Sequence, residues 1–316
     1  MTALRIAMIG AGGIAARHLG VLERLPYVQI VAHLSRRRES AERQAARYGG
    51  EAYDDVATLL DRAHPDAAFV TVPPGSHGAY EHALIERGVP FLVEKPLSAD
   101  EDTAEEIGAR LASSGLLAAV GYHWRAMDTI PELRATLAQA TPRLVVGAWH
   151  SSTPAPAWWR VREQSGGQLV EQATHLVDLA RHLLGDATVL AASESAAVAP
   201  APGANVPVAT TTTVRYDSGP LGSFTTTCAL DASRTVQLEI ACEGLHIRID
   251  QSAVTYDAAA ERRVVHSRAD PFQVEDEAFL AAVRSGDRSG VLCDYQDALG
   301  THRLVHEAAR VAGAAS

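Results

Sequence analysis

Apolar and polar positions in the first third of the chain follow two alternating rhythms. Short apolar runs at Leu4–Ile9, Val28–Leu34, Ala67–Val72, Pro90–Val93 and Leu116–Val120 predict strands buried on both faces. Between them, Ile14–Leu25, Glu39–Tyr48, His77–Arg87 and Asp100–Ser113 carry apolar residues at helical spacing. Strands alternating with helices imply a parallel, doubly wound sheet.

Near Gly121 this rhythm stops. A helix over Thr129–Gln139 and a strand over Arg143–Trp149 lead into a loop rich in Pro and Trp. A strong amphipathic helix over Val170–Leu184 follows. From Thr188 to His266 the chain reads as successive strands, rich in Val and Thr. Turn signals at Pro200-Ala201-Pro202-Gly203, Asp217-Ser218-Gly219 and Glu243-Gly244 break them, which predicts antiparallel pairing. Two helices, about Phe272–Ser285 and Asp294–Val311, close the chain. The expected fold is therefore α/β: a Rossmann-type domain over residues 1–121, then an α+β domain over 122–316 with a large, mainly antiparallel open sheet.

Composition narrows the function. A formal net charge of -10 argues against nucleic acid or an anionic membrane as partner. No apolar run reaches membrane-spanning length, and the first one breaks at once into Gly10-Ala11-Gly12-Gly13 rather than continuing as a secretion signal. Three widely spaced cysteines without a CxxC pair point to a reducing, cytoplasmic setting with no disulfide framework. We expect no metal site. Of the 28 Lys and Arg side chains only Lys95 is a lysine. Arginine replaces lysine readily where only charge matters. It cannot serve where an amine must exchange a proton near neutrality.

Local motifs then place chemistry on this frame. Gly10-Ala11-Gly12-Gly13-Ile14-Ala15 is a GxGxxA turn between the first strand and the first helix. Gly10 permits the tight turn, Gly12 lets a pyrophosphate approach the backbone, and the start of the helix at Gly13-Ile14 attracts its charge. At the end of the second strand a carboxylate would bind the ribose of NAD(H). This chain has Ser35-Arg36-Arg37-Arg38 there, so Ser35 and Arg36 favour a 2′-phosphate and NADP(H) over NAD(H). Glu94-Lys95-Pro96 closes a strand at its carboxyl end, the edge where open parallel sheets bind ligands. Glu171, His175 and Asp178 recur at i, i+4 and i+7 on the predicted helix, a spacing that lets a carboxylate orient an imidazole for proton transfer. All four tryptophans lie between Trp124 and Trp159, and Trp158 with His123, Arg125 and Arg160 offers a flat face and polar groups to a sugar ring.

Together, GxGxxA, Thr71-Val72-Pro73-Pro74-Gly75-Ser76-His77, Glu94-Lys95-Pro96-Leu97 and Gly166-Gly167 with His175 and Asp178 resemble the Gfo/Idh/MocA oxidoreductases over nearly the whole chain. The resemblance implies hydride exchange between a nicotinamide and a secondary alcohol on a sugar, inositol or deoxysugar, within a homodimer or homotetramer built on the C-terminal sheet. It assigns the cofactor to the glycine loop, Thr71, Pro73, His77, Glu94 and Lys95. The family's motif lysine and histidine fall on Lys95 and His175, which would relay the alcohol proton, with Asp178 near the substrate. The family's usual aspartate four residues before the histidine is Glu171 here, and its glycine two residues before is Ala173. Two other roles fit the same motifs: a non-catalytic nucleotide-binding regulator, and redox-assisted cleavage of a glycosidic bond.

Overall fold

The computed structural model describes residues 3–195 and 204–314, so the turn expected at Pro200 to Gly203 lies outside them. The chain divides into two compact units. The first comprises residues 1–98, 102–123 and 270–299, and the second 99–101, 124–269 and 300–316. A single cut at residue 121 is thus too simple. The chain returns after the second sheet, and Asp270–Leu299 belongs to the first unit.

The first unit is built from β1 (Leu4–Ile9), α1 (Gly13–Leu22), β2 (Val28–Leu34), α2 (Arg38–Tyr48), β3 (Glu51–Tyr53), α3 (Val56–Ala63), β4 (Ala67–Val70), α4 (Ala79–Glu86), β5 (Phe91–Val93), α5 (Glu101–Ser114) and β6 (Ala118–Val120). Its strands lie in the order β3-β2-β1-β4-β5-β6, all parallel. That is the doubly wound order, whose direction reverses between β1 and β4 and leaves a crevice at their carboxyl ends. The central strands are apolar throughout because both faces are covered: Ile9 and Val70 face one core cluster, Met8 and Phe69 sit on or beside the other. β3 and α3 were not anticipated. β3 is three residues long, and Glu51 within it is exposed, so it shows no apolar run. α3 is short but capped, with Thr58 N donating to the Asp55 carboxylate at 2.7 Å.

The second unit contains α6 (Ile130–Leu137), β7 (Pro142–Ser152), the single turns α7 (Arg162–Ser165) and α8 (Gln168–Glu171), then α9 (Thr174–Leu184) and strands β8 (Ala187–Glu194), β9 (Ala209–Tyr216), β10 (Leu221–Leu230), β11 (Thr235–Cys242), β12 (Leu245–Ile249), β13 (Ala253–Ala258) and β14 (Glu261–His266). Two helices complete the chain: α10 (Pro271–Ser285) lies in the first unit, and α11 (Tyr295–Ala314) begins there and ends in the second. The eight strands run β14-β13-β12-β11-β7-β10-β9-β8. Every pairing is antiparallel except β7 with β10. One face packs against α9 and the end of α11 through Val145, Phe224, Leu238, Leu176, Leu179 and Val305. No helix among the described residues is long and apolar enough to cross a membrane.

Candidate active site

In the first unit the loops after β1, β4 and β5 all leave the carboxyl edge of one sheet. Gly10 follows β1 with φ +116, and a Cβ there would meet Thr71 Oγ1 at 2.5 Å and the Thr71 carbonyl oxygen at 2.6 Å. The loop after β4 thus packs directly against the glycine turn, and Thr71 N and Oγ1 both donate to Ile9 O, at 2.7 and 3.1 Å. Gly12 and Gly13 are the reverse case: a Cβ at either would have no neighbour within 4 Å. The backbone there faces open space at the start of α1, whose first turn holds no acidic side chain and no side-chain cap. An anion such as a pyrophosphate fits that opening. Ala15, fully buried, lets α1 pack closely on the sheet. Gly10→Ala should lose nucleotide affinity and more than about 1 kcal/mol of stability, because it places an L side chain at positive φ against backbone. A denaturant titration and a nucleotide titration check both effects.

The remaining groups of the nucleotide edge are placed as follows. Ser35 lies just beyond β2, and Arg36 and Arg37 are exposed and make no ion pair with a described residue. Arg38, by contrast, pairs with Glu42 at 3.1 Å and Asp54 at 3.7 Å. His77 turns its buried imidazole to Glu81, Nδ1 to Oε1 at 2.6 Å, while Glu81 also accepts from Gly78 N at 2.7 Å. Burial would raise the Glu81 carboxyl, but the His77 contact outweighs it and holds the group below the usual carboxylate range. His77 and Glu81 therefore brace the loop that carries Pro73.

Lys95 is half-buried at the end of β5, and its bond to Pro96 is cis. Glu94 beneath it is buried, accepting from Lys95 N at 3.1 Å and contacting His18 Nε2 at 3.2 Å. Gly121 makes room for this carboxylate, since a Cβ there would stand 2.8 Å from Glu94 Oε1. His123, expected at the substrate, stacks on Phe272 with ring centroids 4.6 Å apart. Burial, partly opposed by Glu94 and reinforced by Lys95, lowers His123 to about 4, so its ring is neutral at physiological pH.

In the second unit the predicted helix is broken. α8 ends at Glu171, α9 starts at Thr174, and Glu171, His175 and Asp178 do not share one continuous helical face. Gly166 and Gly167, both with positive φ, lead into α8. Glu171 Oε2 accepts from Trp159 Nε1 at 2.7 Å. His175 is buried and stacks on Trp149, centroids 6.1 Å apart and planes 19° from parallel. Asp178 and Arg125, expected at the substrate, are buried against each other. They form a bidentate pair at 2.6 and 2.7 Å, with Thr301 Oγ1 donating to Asp178 at 2.9 Å, and both side chains are at most 1% exposed. Trp124 is likewise core. Trp158 packs beside Trp159, Val206 and Cys228, and Arg160, half-buried, follows it.

Two groupings escaped the sequence. His302 and His306 stand one turn apart on α11 with ring centroids 4.2 Å apart, and His302 Nε2 contacts Asp100 O at 3.1 Å. His18, Glu275 and Asp276 are buried with donor atoms within 4.8 Å of one another. The 2.8 Å contact of His18 Nδ1 with Asp276 Oδ1 makes that group a hydrogen-bonded ion pair. No sequence signal links His18 to Asp276, which lies 258 residues away.

A reversing parallel sheet with a glycine turn at its switch point and a lysine on the same edge is the architecture of a dinucleotide-binding oxidoreductase. Residues 4–122 match the family model described as an oxidoreductase family with an NAD-binding Rossmann fold, and residues 136–248 match the GFO/IDH/MocA C-terminal domain. The chain belongs to the Gfo/Idh/MocA family. It is 27% identical to an uncharacterised protein of Schizosaccharomyces pombe over 88% of this chain and 81% of that one. It is 30% identical to the D-glucoside 3-dehydrogenase of Escherichia coli over 58% of this chain and 54% of the enzyme. With the dTDP-3,4-didehydro-2,6-dideoxy-alpha-D-glucose 3-reductase of Actinomadura kijaniata it shares 36% identity over 36% of this chain and 35% of the enzyme. The chain thus spans about a third to a half of those two enzymes. Among solved structures, a 3-ketoreductase from Actinomadura kijaniata in complex with NADP and TDP-benzene superposes with a TM-score of 0.86 at 22% identity, covering 98% of both chains. A UDP-N-acetylglucosamine 3-dehydrogenase from Acidithiobacillus ferrooxidans reaches 0.85 at 19% identity over 99% of both.

Proposed function

We propose that this protein is an NADP(H)-dependent oxidoreductase that interconverts a secondary alcohol and a ketone on a sugar, inositol or deoxysugar. The observation that carries this reading is the placement of the sole lysine, Lys95, on the same sheet edge as the Gly10–Gly13 turn. The related enzymes named above support the substrate class, since each acts at carbon 3 of a sugar by name.

When bound, the nicotinamide supplies or accepts the hydride. The chain's own residues do the rest. Gly12, Gly13 and the start of α1 hold the pyrophosphate, while Ser35 and the exposed Arg36 meet the 2′-phosphate. Thr71 and Pro73 shape the floor of the crevice. Lys95 holds or releases the proton of the alcohol at its Nζ, and His175 is the second proton-transfer group that the family resemblance assigns. Trp149 fixes the plane of that imidazole, and Trp159 holds the Glu171 carboxylate at the end of α8. Trp158, Arg160 and the neutral His123 are the candidates for contact with substrate hydroxyls. Leu144 and Leu221, paired across β7 and β10 and both exposed, support a homo-oligomer through the outer face of the second sheet.

Fluorescence titration with NADPH and NADH tests the cofactor. NADPH should bind at least about tenfold more tightly, equivalent to 1.4 kcal/mol, and Arg36→Glu should remove that preference. Equal binding of both nucleotides by the native protein would refute the NADP assignment. Turnover in a screen of sugars, inositols and deoxysugars with NADP⁺ tests the activity.

A further inference from the structure

The returning helix α10 lays two neighbouring carboxyls, Glu275 and Asp276, against His18 of α1. His18 and Asp276 are completely buried, and Glu275 is 5% exposed. One donor atom from each of the three lies within 4.8 Å of the other two. His18 Nδ1 stands 2.8 Å from Asp276 Oδ1, and His18 Nε2 stands 3.2 Å from Glu94 Oε1. Phe69 and Phe272 enclose the imidazole, with ring centroids 5.3 and 5.4 Å away.

Two oxygens of this cluster are unsatisfied. Glu275 Oε1 and Asp276 Oδ2 are buried and have no hydrogen-bond partner among the described residues. An ionised carboxylate only accepts, and burying it without a donor costs free energy. Nearly all buried polar atoms in folded proteins are satisfied, so adjacent exceptions call for a bound water or ion. Arg17, the residue before His18, does not serve, because it pairs with Asp270 at 3.0 Å. A water could donate to both oxygens, yet it would leave three carboxyls around one imidazole. A divalent cation satisfies the oxygens and balances two of the charges.

We propose that His18, Glu275 and Asp276 form a structural site for a divalent first-row metal ion of the Zn²⁺ type, which ties α10 to α1. The donor set is one imidazole nitrogen with two carboxylates, a combination that zinc accepts. Ligands about 2.0–2.2 Å from one ion stand roughly 3 to 4 Å apart, so the three donors close by about an ångström. The ion displaces the proton that His18 Nδ1 shares with Asp276 Oδ1. His18 Nε2–H then donates to Glu94, which gives the carboxylate–histidine–metal arrangement that fixes the ring and strengthens it as a ligand. The two phenylalanines keep water from the imidazole. No ligand spacing in the sequence marks the site, since His18 and Asp276 are 258 residues apart. The proposal is independent of the chemistry assigned to Lys95 and His175.

The test begins with purified full-length protein stripped by chelator, loaded with Zn²⁺ and desalted. Elemental analysis should find one Zn²⁺ per chain, and competition with a chromogenic chelator should give its affinity. Glu275→Gln is the decisive variant, because it removes a ligand without touching the His18–Asp276 contact. It should weaken Zn²⁺ at least about tenfold, as should Asp276→Asn. Glu94→Gln, which alters only the acceptor behind the ring, should weaken it by about ten- to a hundredfold. Mg²⁺, which prefers oxygen ligands and sheds its water reluctantly, should not compete. Hydrogen exchange should slow in α1 and α10 when Zn²⁺ is added, and elsewhere change little. A native protein that retains no Zn²⁺ would overturn the proposal, leaving water or a proton on the two oxygens. Equal Zn²⁺ affinity in folded Glu275→Gln would overturn it as well, as would protection confined to other helices or displacement of Zn²⁺ by Mg²⁺.

Discussion

Lys95→Met is expected to lower kcat by about 10² to 10⁴, the range that removal of a positioned proton-transfer group produces. Methionine preserves much of the length and apolar stem of lysine but carries no exchangeable proton. The fold around it should survive, because the side chain is only half-buried and the β5 strand before it is held by parallel pairing to β4 and β6. The expected pattern is therefore a loss in kcat with NADPH affinity changed less than a few-fold. Single-turnover rates with a responsive sugar and a nucleotide titration on the same preparation would show it. A kcat within twofold of the native protein would refute the assignment of Lys95.

Asp178→Ala should destabilise the protein by about 3–5 kcal/mol, the cost of leaving one partner of a buried ion pair uncompensated. The variant strands the Arg125 guanidinium in a position that is 4% exposed and removes the acceptor of Thr301 Oγ1. Replacing both partners, as in Arg125→Met with Asp178→Leu, should recover much of that loss, since a matched apolar pair leaves no buried charge. Urea unfolding of the two single variants and the double variant measures this directly. A loss below about 1 kcal/mol in Asp178→Ala would mean that the pair is not the buried unit its 2.6 and 2.7 Å contacts describe. The contrast with Lys95 is informative. One substitution should leave the fold intact and remove the chemistry, while the other acts on the fold.

Much of the first unit was legible residue by residue. The apolar runs of β1, β2, β4, β5 and β6 alternate with helical spacing, and the positions of Gly10, Gly12 and Lys95 at strand ends follow from the three or four residues around them. The glycine turn and the lysine end up on one sheet edge because a parallel sheet sends every strand's carboxyl end the same way. β3 was illegible because a three-residue edge strand with an exposed glutamate has no apolar signature. The reading of Glu171, His175 and Asp178 as one helical face failed for a related reason. Periodicity counts residues and does not see the break between α8 and α9, where Gln172 and Ala173 interrupt the regular helix.

By itself, then, the sequence determined the doubly wound sheet, the antiparallel second sheet, the glycine turn after β1 and the position of the lysine at the end of β5. These rest on hydrophobic period and on short motifs, both of which act over a few residues. Only the tertiary structure decided that Asp270–Leu299 returns to the first unit, that Arg125 and Asp178 neutralise each other across 53 positions, and that His18 meets Asp276 across 258. Such pairings are selected by burial. A charge withdrawn from water must find an opposite charge within a few ångströms, and the partner it finds depends on which distant segments the packed core brings together.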